Sequence, residues 1–165
     1  MGLRVDGNNS HRQELDKEMT REALEQIAAD QVMRDAWSTV VFQNTWHKGV
    51  VGIVASRLVD QYFRPTVVLT ESNGKAVGSA RSVKGFDVYE AINACSDLLE
   101  QFGGHMYAAG LTMPLENVAF VLEAMGIPPK LVEGRANEVI DQVGLCRVKH
   151  LRQIREGLRK RKALG

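Results

Sequence analysis

Two short runs hold the residues best suited to chemistry in this sequence: Gly78-Ser79-Ala80-Arg81-Ser82 and Gly103-Gly104-His105. Together they offer a backbone without side-chain bulk, a hydroxyl, a guanidinium and an imidazole. That is the equipment of a phosphate cradle. Glycine lets a ligand approach the backbone, and arginine presents a fork of donors to phosphate oxygens. In an extended segment Ser79 and Arg81 point to the same side. Gly78 beside them would let a phosphate rest on the chain. The plainer alternative is a polar strand end with a solvated arginine. Gly103 reads as a helix C-cap. Gly104 is surplus to that cap, and His105 would open the next turn, where a donor and a helix dipole act together on an anion. A structural histidine is the alternative there.

Trp46-His47-Lys48-Gly49 precedes a helix that begins with glycine. Trp46 is a candidate to stack on a base, as in single-strand binders, or else a cap on the core. Readings that would make this chain catalytic by itself fail. The four histidines, at 11, 47, 105 and 150, are scattered and none forms an H-E-x-x-H pattern. There is no G-x-S-x-G. Asp87 and Glu90 suit a capping box better than a catalytic carboxylate pair. No catalytic or metal-ligating residue is assigned, and no cofactor is expected in this chain.

The elements that must position these residues follow from periodicity. Ser10 and Gln13 form a capping box ahead of Leu15, Met19, Ala23 and Ile27, which predicts a helix from Ser10 to Arg34. Its abrupt start after Gly7-Asn8-Asn9 reads as a chain cut from something longer. Thr39–Phe42 and Thr66–Thr70 are β-branched, apolar runs expected as buried strands. Between them, Gly49–Gln61 reads as a helix with Val50, Ile53, Val54 and Leu58 on one face, ended by Arg64-Pro65. Asn73-Gly74 is a strong hairpin signal, returning the chain through Lys75–Ala80. After the Asp87/Glu90 box, Ala91, Ile92, Cys95, Leu98, Leu99 and Phe102 fall at helical spacing. Ala109–Met113 reads as a last strand and Leu115–Met125 as a helix. Pro128-Pro129 is the expected boundary.

The 165 residues suit one compact domain with an appendage, and 44% hydrophobic with 25% charged residues is an ordinary globular composition. Cys95 and Cys146 form no C-x-x-C and read as reduced thiols of a cytoplasmic protein. No apolar run is long enough to span a membrane. Met1-Gly2 begins a myristoylation-like pattern that fails at Asp6. Net charge is +1, but residues 147–162 hold eight Lys or Arg against the single acid Glu156, leaving that segment at +7 and the rest at −6. This basic segment is expected to be helical. It suits a polyanion, an anionic membrane or a docking partner, or is simply a solvated helix.

Taken jointly, these residues resemble a known family. The run from Trp46 to Leu58, then Arg64-Pro65, Gly78–Ser82, and Gly103-Gly104-His105 with Ala108-Ala109-Gly110 are similar to the DHH-associated domain of RecJ-like single-strand-specific 5′→3′ exonucleases, within the DHH phosphoesterase superfamily. The similarity covers residues 8 to 122. Gly-Gly-His alone is shared with oligonucleotide and cyclic-dinucleotide phosphodiesterases of that superfamily. The resemblance implies an α/β fold: a mixed sheet of about four to five strands flanked by helices, with a long N-terminal linker helix (1–36) and a substrate-binding domain (37–126); the helical basic tail (127–165) departs from the family's pattern. It implies that Ser79 and Arg81 contact a terminal 5′ phosphate and that His105, after Gly103 and Gly104, contacts substrate phosphate facing the metal site. Arg12, Trp46, His47 and Ser82 are further candidate contacts. The family's Asp-His-His domain, with its manganese or magnesium, is expected to lie outside this chain. The chain would then be the gripping half of a nuclease for single-stranded nucleic acid, DNA in this reading, inactive alone and served by a catalytic DHH domain in cis or trans. The alternatives are a stand-alone regulatory module that docks a partner through the basic helix, or the substrate domain of an oligonucleotide or cyclic-dinucleotide phosphodiesterase.

Overall fold

The computed structural model describes residues 3–118. Its centre is a five-stranded mixed sheet in the order β1-β2-β3-β5-β4. The strands are β1 (Thr39–Phe42), β2 (Thr66–Ser72), β3 (Lys75–Arg81), β4 (Gln101–His105) and β5 (Ala108–Pro114). Only β1 and β2 run parallel, with Thr39 opposite Thr66. A parallel pair needs a crossover, and α3 (Val51–Tyr62) supplies it. The β2–β3 hairpin turns at Asn73 and Gly74, whose φ values of 52° and 74° are those of a two-residue turn that matches strand twist.

Alternation along the strands separates two cores. Val40, Val67, Leu69, Ala76, Ala80, Ala109, Leu111 and Met113 face α4 (Val88–Asn93) with Val88, Ile92 and Leu98. Val41 and Val68 face the other way, against Val51, Val54, Ala55 and Leu58 of α3. The long N-terminal helix α1 (Leu3–Ala28) closes that side with Met19, Ala23 and Ile27, the stripe read from the sequence.

The helix boundaries differ from expectation. α1 starts by Leu3, so Ser10 and Gln13 lie inside it and cap nothing. It stops at Ala28, and α2 (Gln31–Asp35) follows as a separate turn, with the Asp30 carboxylate accepting from Met33 N at 3.3 Å. Arg64 holds this corner. Its guanidinium is buried and donates to the carbonyls of Met33 (2.5 Å), Arg34 (2.8 Å) and Ala36 (2.6 Å) and to Thr39 Oγ1 (2.7 Å). Burial pulls its pKa down, yet a guanidinium stays charged, and it satisfies the orphan carbonyls at the end of α2.

The largest correction lies between 88 and 105. Asp87 caps as expected, accepting from Glu90 N at 3.0 Å. The helix it starts ends at Asn93, gives way to a 3₁₀ turn at Ser96–Leu98, and the chain then becomes β4. Phe102 is therefore a strand residue, and Gly103 is not a helix cap. Leu115–Asn117 forms a further 3₁₀ turn. The rest of the helix expected to Met125, the boundary at Pro128-Pro129 and the basic tail lie outside the described residues.

Candidate phosphate-binding site

The register of three antiparallel strands lines up the candidate residues. Arg81 pairs with Ala108, which pairs with His105. Ser79 pairs with Gly110, which pairs with Gly103. Val77 pairs with Thr112, which pairs with Gln101. Directly paired residues share a face. Ser79 and Arg81 thus stand on one side of the sheet with His105, which is distant from them in sequence. Successive rows are roughly 6.7 Å apart, and outer members of a row roughly 9.6 Å apart, from standard strand spacings. Between them lie only Gly103, Ala108 and Gly110.

α3 brings its N-terminus onto this shelf. Its first-turn amides, Val51 and Gly52 among them, have no intrahelical carbonyl to bond, and Val50 offers no side-chain cap. Gly52 measures the convergence. A methyl group there would fall 2.8 Å from Arg81 Nη2 and 3.4 Å from Ser79 Oγ. Guanidinium, hydroxyl and helix N-terminus meet at one point. Arg81 is half-buried, with Nη1 anchored to its neighbour's carbonyl, Ala80 O, at 2.8 Å. It has no carboxylate partner among the described residues. The arrangement can bind an anion with charge, fork and dipole together.

The glycines divide in a way the sequence did not show. A Cβ on Gly78 would strike Leu69 Cδ2 at 2.4 Å and Val68 O at 2.6 Å. Gly104, at φ 146°, would drive one into Ala108 O at 2.3 Å. Both are glycine so that strands and core can close, not for a ligand. Gly103 meets nothing within 4 Å, and Gly110 only Gly78 O at 3.9 Å, with neither at positive φ. Nothing among the described residues requires glycine there. Their missing side chains leave an open groove of about 440 Å³ running from Ser79 past Lys48, Val51, Gln101 and Thr112.

His105 lies at the end of β4, before the tight Met106-Tyr107 turn, and does not begin a helix. It is exposed, and its Nδ1 accepts from Tyr107 N at 3.3 Å. A neutral ring held this way keeps its proton on Nε2, a donor directed away from the turn. His47 is oriented similarly, its Nδ1 accepting from Gly49 N at 3.0 Å. Arg12 reaches from α1 to donate to Gly49 O at 3.2 Å, so it does arrive at the loop that starts α3. α1 is fixed there by Asp16, whose carboxylate receives Arg57 Nη2 at 2.6 Å and Nε at 2.8 Å. Arg57 holds the Asp16 carboxyl below its ordinary pKa.

Two candidates are occupied with structure. Trp46 is 4% exposed and its Nε1 donates to Glu22 Oε2 at 2.7 Å, so the indole joins α1 to the core and offers no face to a base. Ser82 Oγ donates to Phe86 O at 2.7 Å and closes its own loop. Gly52, Gly110, Gln101 and Thr112 border the candidate site and were not singled out as site residues from the sequence. The first had a usable signal, a second glycine three residues into a helix that already began with one. Among the described residues, no three His, Cys, Asp or Glu side chains gather as a metal-holding group. No described helix is long and apolar enough to cross a membrane.

Residues 35–126 match the family model of the DHHA1 domain. This chain belongs to the DHHA1 domain family. The DHHA1 domain here is of the RecJ-like kind. It is 44% identical over 120 residues to the single-stranded-DNA-specific exonuclease RecJ of Bacillus subtilis, across 72% of this chain and 15% of that protein. It is 36% identical over 126 residues to RecJ of Haemophilus influenzae, across 72% of this chain and 22% of the relative. The crystal structure of RecJ from Thermus thermophilus in complex with Mg2+ superposes with a TM-score of 0.61 at 33% identity, over 79% of this chain and 18% of that one. The chain spans less than a quarter of the length of each of these relatives.

Proposed function

We propose that this DHHA1 domain grips the 5′-phosphorylated end of a single nucleic-acid strand, as the substrate-holding part of a RecJ-like 5′→3′ exonuclease. The observation that carries the reading is the meeting of Ser79 Oγ, Arg81 and the start of α3 above a floor of Gly103 and Gly110. A terminal phosphate has more charge and more free oxygens than a bridging one, so a seat of this kind reads an end. His105, across the sheet in the Arg81 row, donates to a phosphate further along the strand. DNA is the proposed strand, in keeping with the single-stranded-DNA-specific relatives, and a cytoplasmic location accords with it.

The division of labour follows from the chemistry. Manganese or magnesium, held by a DHH domain in cis or trans, would supply the activated water and the clamp on the leaving oxygen. The residues of this chain bind and orient. They hold the 5′ end against the seat while His105 faces the reacting phosphate.

Fluorescence anisotropy at fixed salt, with one oligonucleotide carrying either a 5′ phosphate or a 5′ hydroxyl, tests the proposal. The phosphorylated strand binds more tightly. Arg81→Ala removes a charge-assisted fork and costs about 1.5–3 kcal/mol. Arg81→Lys restores little of it. Equal affinity for the two ends refutes the reading.

A further inference from the structure

The groove does not stop at the seat. It continues from the Ser79 row to the next row, Val77–Thr112–Gln101, away from Arg81 and His105. A strand that leaves the seat toward His105 occupies the opposite direction. This second half of the groove is therefore vacant when a monophosphorylated end is seated.

Its chemistry selects the occupant. The polar side chains lining it are Lys48, Ser79, Gln101 and Thr112: an ammonium, two hydroxyls and an amide. Among the described residues, no carboxylate lines it. Nor do the described residues offer it an aromatic face. Phe102 lends it only one edge of the strand, since its ring packs on the opposite side against Tyr89, with centroids 5.8 Å apart. A base would find nothing to stack on, whereas an anion would find donors. Lys48 is exposed and has no carboxylate partner among the described residues. Gly103 and Gly110 keep the floor clear although neither packing nor backbone conformation demands glycine. The step from row to row is roughly 6.7 Å, within reach of phosphates joined by anhydride links to the one on Ser79.

We infer that the groove beyond Ser79 is a polyphosphate subsite, in which Lys48, Thr112 and Gln101 receive the outer phosphates of a 5′-triphosphorylated strand end. This rests on the 5′-end reading above. The domain then accepts unprocessed triphosphate ends as well as monophosphate ends, and prefers them.

Three oligonucleotides of one sequence, with 5′ hydroxyl, monophosphate or triphosphate, separate the two claims in the full chain. The monophosphate-to-hydroxyl affinity ratio reads the seat. The triphosphate-to-monophosphate ratio reads the subsite. The second ratio is expected to be about fivefold, the scale of one partly exposed charge pair. Lys48→Met should bring it close to one, and so should Gly110→Val, whose Cβ meets only Gly78 O at 3.9 Å. Lys17→Met, which removes an exposed lysine from α1, should not. If the first ratio is near one, the 5′-end reading fails and the subsite with it. If the first ratio holds but the second is one or below, only the subsite is overturned. An equal loss in Lys17→Met and Lys48→Met also overturns it, because the preference would then be bulk charge. Inorganic tripolyphosphate is the probe for a free ligand. If it binds as tightly as the triphosphorylated strand, the groove serves free polyphosphate and the end-reading claim is overturned.

Discussion

Replacing Gly52 by alanine should strengthen the fold while weakening binding. Gly52 lies in the first turn of α3 and its Cα faces the seat. The added methyl group would sit 2.8 Å from Arg81 Nη2, 3.7 Å from Arg81 Cζ and 3.4 Å from Ser79 Oγ. The first contact is too short to persist. The group that must yield is the tip of a flexible arginine and not backbone, so the fold absorbs the change cheaply. Alanine is the better helix former by up to about 1 kcal/mol, so stability should change by between zero and about +1 kcal/mol. Binding moves the other way. The methyl fills the point where hydroxyl and guanidinium converge and displaces the fork. A lost charge-assisted fork is worth about 1.5–3 kcal/mol, or roughly a ten- to hundredfold drop in affinity for the 5′-phosphorylated strand. Urea melts and anisotropy on the same preparation give both numbers. A double-mutant cycle sharpens them: in an Arg81→Ala background, Gly52→Ala should cost little more. If Gly52→Ala keeps full discrimination between the two ends, Arg81 does not act from this position and the seat is wrongly placed. If the variant unfolds, the first turn of α3 is not the tolerant surface described here.

Other substitutions test the frame around the seat. Gly104→Ala forces a Cβ to 2.3 Å from Ala108 O at φ 146° and should cost about 2–4 kcal/mol by detaching β4; Gly103→Ala, facing open space, should melt like the parent in the same thermal scans. Arg64→Met leaves the carbonyls of Met33, Arg34 and Ala36 without their donor and should cost about 3 kcal/mol or more in urea denaturation. Asp16→Asn weakens the clamp between α1 and α3 by about 1 kcal/mol, a small figure because the Arg57 side chain is 55% exposed. The Asp16 carboxyl lies below its ordinary 3.8 in the folded chain, so its contribution is complete above that pH and lost as pH falls through the lower folded value. Melts of parent and Asp16→Asn should therefore differ at pH 7, and the difference should shrink as pH falls below the ordinary carboxylate range.

Much of this architecture was legible because it is local. Thr39–Phe42 and Thr66–Thr70 are β-branched and apolar, which suits a buried strand whatever surrounds it. Asn73-Gly74 names its turn, since both positions need positive φ. Asp87 names its cap. The same reliance on local pattern failed from Ala94 to His105. Cys95, Leu98, Leu99 and Phe102 fall at helical spacing, but two glycines in five residues make β4 a strand that exists only because β5 pairs with it. Ser10 and Gln13 failed likewise: a capping box is a preference, and α1 runs through it, with the stripe from Leu15 to Ile27 packed against α3.

Residue types singled out Ser79, Arg81 and His105 as candidates, because few side chains suit a phosphate. Their convergence was decided by tertiary structure. The pairing of β3 with β5 and of β5 with β4 puts them on one face, and no short-range preference specifies which strand another will choose. The meaning of the glycines was settled the same way. Gly78 and Gly104 have atoms of neighbouring strands where a Cβ would go, while Gly103 and Gly110 have space. A sequence records that a side chain is missing; only the packed chain shows whether protein or ligand takes its place.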